Sequence, residues 1–593
     1  MATSPIADVS GPLGVIVKIA GNPIAEDIAI NGATVTLDLN RVPQAILRLA
    51  DGSVATNEFP LIDGEDFKPG ATVEIAAFFG AGSEQTLFKG IITATRLRIS
   101  GGGAGELELT CRDKAIALME IRKTTSYAQM KDSDAMQKII ADAGMTADVT
   151  ATNADPADLV QYDCTDWDFL RLLADRNGQV IVVDDGKITT AAPDPAAAAT
   201  MGLSLGVDIL DFDCKIDAST LIKDSAVTGW DPASQAVTTE TSDSTDAGSW
   251  GNTTYADLSK ITGDRTHTAT TPYASGQVAL ADIAKARALR APLGAISGRC
   301  KYPGSSLAVP GKAIELKGVG DRLGGTAFVS GITHEISAGT WETTARLGLP
   351  AGWRSDSFGL STPGASGLGA PVQGLHVGTV LAIVDSGGAN PMADATMMQI
   401  SLPLFGDTPA ELWARYAQPY ATSGAGIQFL PEIGDEVVLG FLSADPGAPV
   451  VLGSLHSGKN ARTNDATEEN ERKTITSKSG IHISFDDDKK ILTAETPAGQ
   501  SIVIDDDAST ITLSDVTGNT ITMSDSGMAM AAQGTFDLTA TDTITIASDM
   551  DVEITGMNIS ATADVDLTAE GSASAKFSAS GQCTIEGSIV MIN

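Results

Sequence analysis

The sequence predicts a mainly β protein of several domains that ends in an intertwined β-helix made by three copies of the chain. Three observations carry this. Short apolar/polar alternating runs, punctuated by Gly, Asn and Asp, recur from the first residues onward. Aromatic residues are scarce at 5%, while Gly alone numbers 61, a composition suited to strands and many turns. The stretch SIVIDDDASTITLSDVTGNTITMSDSG, 501–527, states one short pattern three times: two aliphatics at alternate positions, then Asp, Ser, Gly or Asn. A chain of 593 residues has room for about three to five domains.

Residues 1–110 read as barrel or sandwich strands (LGVIVKIA, ATVTLDL, ATVEIAAFF, TLFKGIITATRLRIS), and a helical or α+β segment is expected over 111–200. Within it, Cys111–Ala143 has apolar residues at helical spacing. In YDCTDWDFLRLLADRNGQVIVVDDGKITT, Thr165 caps a helix with Asp168 three residues on, and Gly178 suits a left-handed helix end. Asp185-Gly186 then marks a hairpin. A second strand set fills 201–355, interrupted by a Ser/Thr/Asp-rich mobile loop at 231–273 and a short helix at 281–291. A Gly/Ser/Pro linker covers 356–373, an OB-type barrel of five strands 374–458, and a polar connector 459–492.

Residues 493–593 hold fifteen Asp or Glu against one cation, Lys576. Their inward set comes in pairs: Ile502 with Ile504, Ile511 with Leu513, Ile521 with Met523, and Phe536 with Leu538. It goes on through Ile544 with Ile546, Val552 with Ile554 and Val565 with Leu567, and reaches Ile589 with Met591. Asp537, Asp551, Glu553, Asp564 and Asp566 take the opposite parity, toward water. Ordering eight residues costs roughly 8–16 kcal/mol of backbone entropy, and two buried aliphatics return roughly 3–6 kcal/mol. A single chain of such thin strands cannot close a core. Three chains, each giving one side of a triangular prism, can. A disordered acidic tail would not need aliphatic pairs of constant parity, and a calcium-binding roll would need a GGxGxD repeat that Asp505–Asp507 lacks.

A net charge of −36 argues against a nucleic-acid or anionic-membrane binder. The five cysteines are far apart and form no CxxC, so reduced thiols are expected. The N-terminus lacks the pattern of a signal peptide, and no run reaches the roughly 18 apolar residues of a membrane helix. The expectation is a protein made soluble in the cytoplasm.

The order of these pieces resembles the VgrG-type central spike of contractile injection systems, among them phage tails and type VI secretion. TDWDFLRLLADRNGQVIVVDDGK (165–187) and PGKAIELKGVGDRLGGTAFVSGITHEI (310–336) are similar to the hub signature of that family. FLPEIGDEVVLGFLSADPGAPVVLGSLHSGKN (429–460) is similar to its OB-module signature. The resemblance implies a homotrimer whose hub contains two β-barrels per chain and docks on a hexameric inner-tube protein among other baseplate proteins. It implies a needle over 493–593, tipped by a PAAR-repeat protein seated on Ser588, Ile589, Val590, Met591, Ile592 and Asn593, with effector cargo possible. Assembly would take place in the cytoplasm, and firing would carry the spike into the extracellular space or a target envelope, pierced mechanically rather than bound.

No catalytic, cofactor or metal residues are expected. The chain has no GxSxG, Walker, HExxH or Rossmann pattern. His334-Glu335 lacks the second histidine of a zinc motif and reads as a solvated strand pair; Asp166 and Asp168 read as helix-start carboxylates. His482 is turned outward by its neighbours Ile481 and Ile483, and Cys583 reads as a small buried apolar residue. Arg415 beside Trp413 and Tyr416 is too little cation for a nucleic-acid face. The competing readings are a trimeric tail-spike-like enzyme acting on polysaccharide, separable by zymogram, and an adhesin stalk.

Overall fold

A computed structural model describes residues 4–5, 11–53, 57–100, 104–153, 156–231, 236–245, 250–271, 280–356, 371–384, 397–404 and 410–592. The chain is mainly β and divides into two units: 1–375 with 440–450, and 376–439 with 451–593.

In the first unit one sheet of thirteen strands serves two cores. Strands Leu13–Ile19, Ile30–Asp38, Gln44–Ser53, Thr72–Phe79, Gln85–Ile99 and Ala104–Arg112 enclose the first, around Val35, Leu47, Leu49, Ile75 and Leu109. Strands Ala199–Ser204, Ile296–Pro303, Ala313–Lys317, Gly325–Ser337 and Thr340–Leu347 enclose the second, around Leu203, Tyr302, Ile314 and Val329. Gly325–Ser337 joins them by pairing antiparallel with Ile30–Asp38 (Gly331 opposite Asp38, Ser337 opposite Gly32). The expected boundary at residue 110 falls inside the strand Ala104–Arg112.

That central strand corrects one sequence expectation. His334 is not solvated: it is 2% exposed, flanked by Thr343 on one side and Val35 on the other. Its Nδ1 lies 2.9 Å from the Thr343 hydroxyl and accepts from the Trp341 indole at 3.4 Å. Burial pushes its pKa down to about 3. Glu335, of opposite parity, does reach solvent and faces Lys301.

The segment expected to be helical over Cys111–Ala143 is only partly so. A 3₁₀ turn, Lys114–Met119, precedes a strand, Arg122–Met130, and the helix is Asp132–Asp142. The β-branched run Thr124-Thr125 lies in that strand, which pairs with Ala157–Thr165. Next comes the helix Asp166–Arg176, with Trp167, Phe169, Leu170 and Leu173 buried. The Thr165 hydroxyl accepts the Asp168 N–H at 3.1 Å, as the capping pattern requires. Thr165→Ala should lower the stability of the first unit by about 1 kcal/mol, read as a shift in the urea midpoint. Gly178, at φ +68°, leaves the helix where an added Cβ would lie 3.2 Å from Ala286 Cα, so the turn and the close packing both call for glycine. Asp185 and Gly186, at φ 47° and 73°, form the turn between Val180–Asp184 and Lys187–Ala191.

Carboxylates on this helix hold the unit together. Asp175, 1% exposed, takes Arg290 at 2.7 Å and the Arg354 backbone N–H at 2.7 Å, while Asp168 takes the Arg354 guanidinium at 2.9 Å. Asp166 pairs with Lys123 at 2.9 Å.

The loop expected at 231–273 is largely ordered structure. Ala236–Asp243 and Thr266–Thr271 flank Asp224–Asp231 in a three-stranded sheet, and Tyr255–Lys260 is a helix capped by Thr254. Thr-rich sequence favours strands as well as loops, and here the paired strands use it. Of the expected linker, 357–370 lie outside the described residues.

His376–Ala382, Met397–Leu402, Ala410–Tyr416, Pro449–Ser454 and Glu436–Phe441 close a five-stranded barrel. Val380, Ile400, Leu402, Val437, Leu439 and Val451 fill it. The expected connector at 459–492 is a connector only in its first part. From Arg472 onward it supplies three strands to the sheet of the C-terminal ribbon, because Ile491–Glu495 pairs directly with Ser501–Asp505.

Candidate functional site

The C-terminal ribbon is built from five-residue strands, Arg472–Thr476, His482–Asp486, Ile491–Glu495, Ser501–Asp505, Thr510–Ser514, Thr520–Ser524 and Gly527–Ala531, in one antiparallel meander. The connecting loops alternate five and four residues, down to the last of two. Backbone φ is positive at Gly480, Gly499 and Gly518 in the longer loops and at Lys490 and Ser509 in the shorter. Strand pairs therefore recur every nineteen residues: Arg472, Ile491 and Thr510 begin equivalent strands. Acids concentrate in the loops. The Asp515 carboxylate accepts the Thr517 and Asn519 backbone N–H groups at 2.9 Å and the Asn519 side-chain amide at 2.6 Å. The bonds from Asn519, then those from Thr517, hold its carboxyl down at about 2.

The register places every second and fourth strand residue on one face. Ile483, Ala494, Ile502, Leu513, Ile521 and Met530 stand side by side in one rank, and Phe485, Leu492, Ile504, Ile511, Met523 and Met528 in the other. Sequence steps alternate eleven and eight along the first rank as far as Ile521, and seven and twelve along the second as far as Met523; the two-residue last turn makes the final steps nine and five. That is the unevenness a meander with unequal loops must give. The opposite face carries Ser484, Thr493, Val503, Thr512 and Thr522. His482 lies on that face with its Nε2 3.8 Å from Glu495, away from the apolar ranks.

The apolar face is bare. Ile502 is 47% exposed, and Ile504, Ile511 and Leu513 are 37–38% exposed. It forms a trough of about 710 Å³ along Ile483, Ile502, Leu513 and Ile521, with Phe536 at its end. The sequence-predicted positions up to Met523 are thus brought onto one surface. Ile483, Phe485 and Leu492 join them, and the nineteen-residue period, which sets them against Ile502, Ile504 and Ile511, is the signal that identifies these; Met528 and Met530 join through the last, two-residue turn, where the period breaks.

Beyond Ala531 the arrangement changes. Among the described residues, none from 532 to 592 belongs to a strand, and no backbone N–H there reaches a backbone carbonyl. The backbone is extended and bends at 533–534, 541–542, 549–550, 557, 564–565, 572–573, 580–581 and 588–589, a step of eight with a single step of seven. Phe536 and Leu538, Ile544 and Ile546, and Val552 and Ile554 sit within the runs between bends. Leu567 does too, whereas Val565 falls at a bend.

The core position that the sequence assigns to these side chains is not met within one chain. Leu538, Ile546 and Ile554, expected inward, are instead exposed, as are Phe536, Ile544, Val552, Val565 and Leu567. The physical reason is the missing neighbour: an extended run with no strand beside it has nothing to cover either of its faces. Ile502, Ile504, Ile511 and Leu513 differ in degree, since adjacent strands of the meander shield their flanks. Cys583, expected to be buried, is likewise exposed in the single chain, as are Ile589, Val590, Met591 and Ile592. Asn593 lies outside the described residues. Among the described residues no cluster of three metal-ligating side chains occurs, and no helix is long and apolar enough to cross a membrane.

Against known proteins, the family model described as Alg8 N-terminal domain matches residues 10–338. A second, described as the type VI secretion system/phage-baseplate injector OB domain, matches 380–456. No curated protein matches the sequence. Among solved structures, the chain is similar to a tail protein from Neisseria meningitidis MC58 (17% identity, 58% of this chain and 99% of that one, TM-score 0.43). It is similar to the E. coli c3393 protein, a type VI secretion component (15%, 74% and 99%, TM-score 0.36). A chain of the Francisella PdpA-VgrG complex is a third (9%, 85% and 80%, TM-score 0.38).

Proposed function

Since this chain belongs to the family of the Alg8 N-terminal domain and carries the injector OB domain, as a VgrG-type spike protein does, we propose that it is the homotrimeric central spike of a contractile injection system. Its role is structural, as spike and hub. The hub caps a hexameric inner tube, the OB barrel mounts the ribbon, and the ribbon is the needle driven through a target envelope.

One observation carries the reading: a ribbon with two aliphatic ranks on one bare face, followed by 61 residues in which no backbone N–H reaches a backbone carbonyl of its own chain. Burying a half-exposed aliphatic side chain returns on the order of 1 kcal/mol, and three copies closing a prism bury all of them together. The same closure would cover Leu538, Ile546 and Ile554, which one chain leaves exposed. Interchain backbone bonds would supply the stiffness that piercing needs, and loop acids such as Asp506 and Asp507 would keep the outside soluble. Ser588–Asn593 would form the flat end that receives a PAAR-type tip, and effectors would travel with that tip or the hub.

The test is a solution mass. Light scattering should give three times the chain mass of 60.9 kDa. Deleting 588–593 should keep that mass and abolish co-purification of a co-expressed PAAR-repeat protein. A folded single chain would end the reading; retention of the tip protein by the deletion would end the tip assignment.

A further inference from the structure

We propose that the first unit holds a binding site for an alkylammonium group on a ligand that also carries a hydrogen-bond acceptor, as a lysine residue does. The site is a cavity of about 370 Å³ with His334 and Asp113 in its walls, within the ordinary size range of small-ligand sites. It lies within one chain and does not depend on three copies meeting.

One wall is the imidazole of His334, in the strand that joins the two cores. Its Nδ1 accepts from the Trp341 indole at 3.4 Å and lies 2.9 Å from the Thr343 hydroxyl, so the proton of the neutral ring sits on Nε2. That nitrogen has no acceptor among the described residues and is not sealed off by its neighbours. A residue only 2% exposed thus keeps a free N–H toward the cavity it lines. A buried donor left without an acceptor is costly, and a ligand carbonyl would supply one.

The other wall is acidic. Asp113, 1% exposed, follows the strand Ala104–Arg112 and ties two turns: its carboxylate accepts the Ala115 N–H at 2.8 Å and the Gly186 N–H at 3.0 Å. Among the described residues no cation pairs with it, and the charges that act on it are those of Asp184 and Asp185, which line the same cavity. Burial first, and these two carboxylates after it, push its carboxyl upward against the two N–H bonds. Lys89, half-exposed, pairs with Asp185 at 3.5 Å rather than with Asp113. A buried carboxylate calls for a positive partner. Leu87, Val182 and Pro310 add apolar surface to the same cavity, against which a methylene stem can lie while its ammonium reaches the acids. An anion would meet three carboxylates there, and a purely apolar ligand would leave both polar walls unpaired.

Calorimetric titration of the full-length protein in about 0.15 M salt, where exposed charge pairs are weak, tests this with defined probes. N-acetyl-lysine methylamide should bind saturably, one per chain. It should bind at least about tenfold tighter than N-acetyl-norleucine methylamide, which keeps the stem and the acceptors but lacks the ammonium. Pentylammonium, which lacks the acceptors, should fall between the two. Free L-lysine separates the sources: tighter binding than the capped probe assigns the site to the free amino acid, weaker binding to a lysine presented by a protein, and either supports it. Asp113→Asn should remove the preference for the charged probe. The comparison between probes needs no variant, so it stands if that one does not fold. Equal affinities for the lysine and norleucine probes, or a preference that survives Asp113→Asn, overturns the site. So does pentylammonium binding as tightly as the capped lysine, or no saturation of any probe by about 10 mM.

Discussion

Ile511→Asp is expected to abolish the protease-resistant needle while leaving hub and OB barrel folded. Ile511 lies mid-rank, opposite Ile504 on one side and Met523 on the other. In a closed prism the substitution places three carboxylates close to one axis with no cation within reach. Each buried ion costs several kcal/mol even after relaxation, and like charges add to that. Thr512→Asp, one residue on, puts the same charge on the opposite face, where Val503 and Thr522 flank it. Limited proteolysis should therefore remove 472–592 from Ile511→Asp and spare it in Thr512→Asp. Equal resistance in both would mean that the apolar ranks do not face one another.

Lowering the pH from 7 to 5 should destabilise the hub by about 2 kcal/mol through His334 alone. Burial holds the folded pKa near 3, against 6.5 for the free side chain. Between those values the unfolded chain binds a proton that the folded chain refuses. Stability is thus flat above about pH 6.5 and falls by about 1.4 kcal/mol per unit below it. His334→Gln keeps an acceptor for the Thr343 hydroxyl but has nothing to titrate, so its urea midpoint should fall less over the same range. The wild-type-minus-variant difference isolates His334 from Asp113, whose carboxyl burial raises and whose contribution therefore grows as pH falls. Parallel pH profiles for both proteins would show that the imidazole is not held neutral.

Local features of the hub were legible because their causes are local. The Thr165 cap, the Gly178 helix end and the Asp185-Gly186 turn each depend on a few consecutive residues, and each is found as expected. The closed OB barrel was legible from five alternating strands and their turns. Two misreadings share one cause. His334-Glu335 looked solvated because polar side chains in a strand often are; its burial comes from Thr340–Leu347 on one side and Ile30–Asp38, about three hundred residues earlier, on the other. The Thr- and Ser-rich run at 231–273 looked like a loop because its pairing partner, Asp224–Asp231, was not apparent in the sequence.

In the ribbon, alternation alone determined which side chains share a face: parity is a property of the strand itself, and Ile502, Ile504, Ile511, Leu513, Ile521 and Met523 could be assigned without knowing any neighbour. Only the tertiary structure decided what lies beside each strand. It started the sheet at Arg472 rather than 493, turned uneven steps into two straight ranks, and ended own-chain pairing at Ala531. Past that point Leu538, Ile546 and Ile554 keep the alternation and still lie exposed, because no strand of the same chain stands beside them. The physical reason is that facing is set by the geometry of one backbone, whereas pairing is set by competition among all the backbones within reach, and no single stretch of sequence contains that competition.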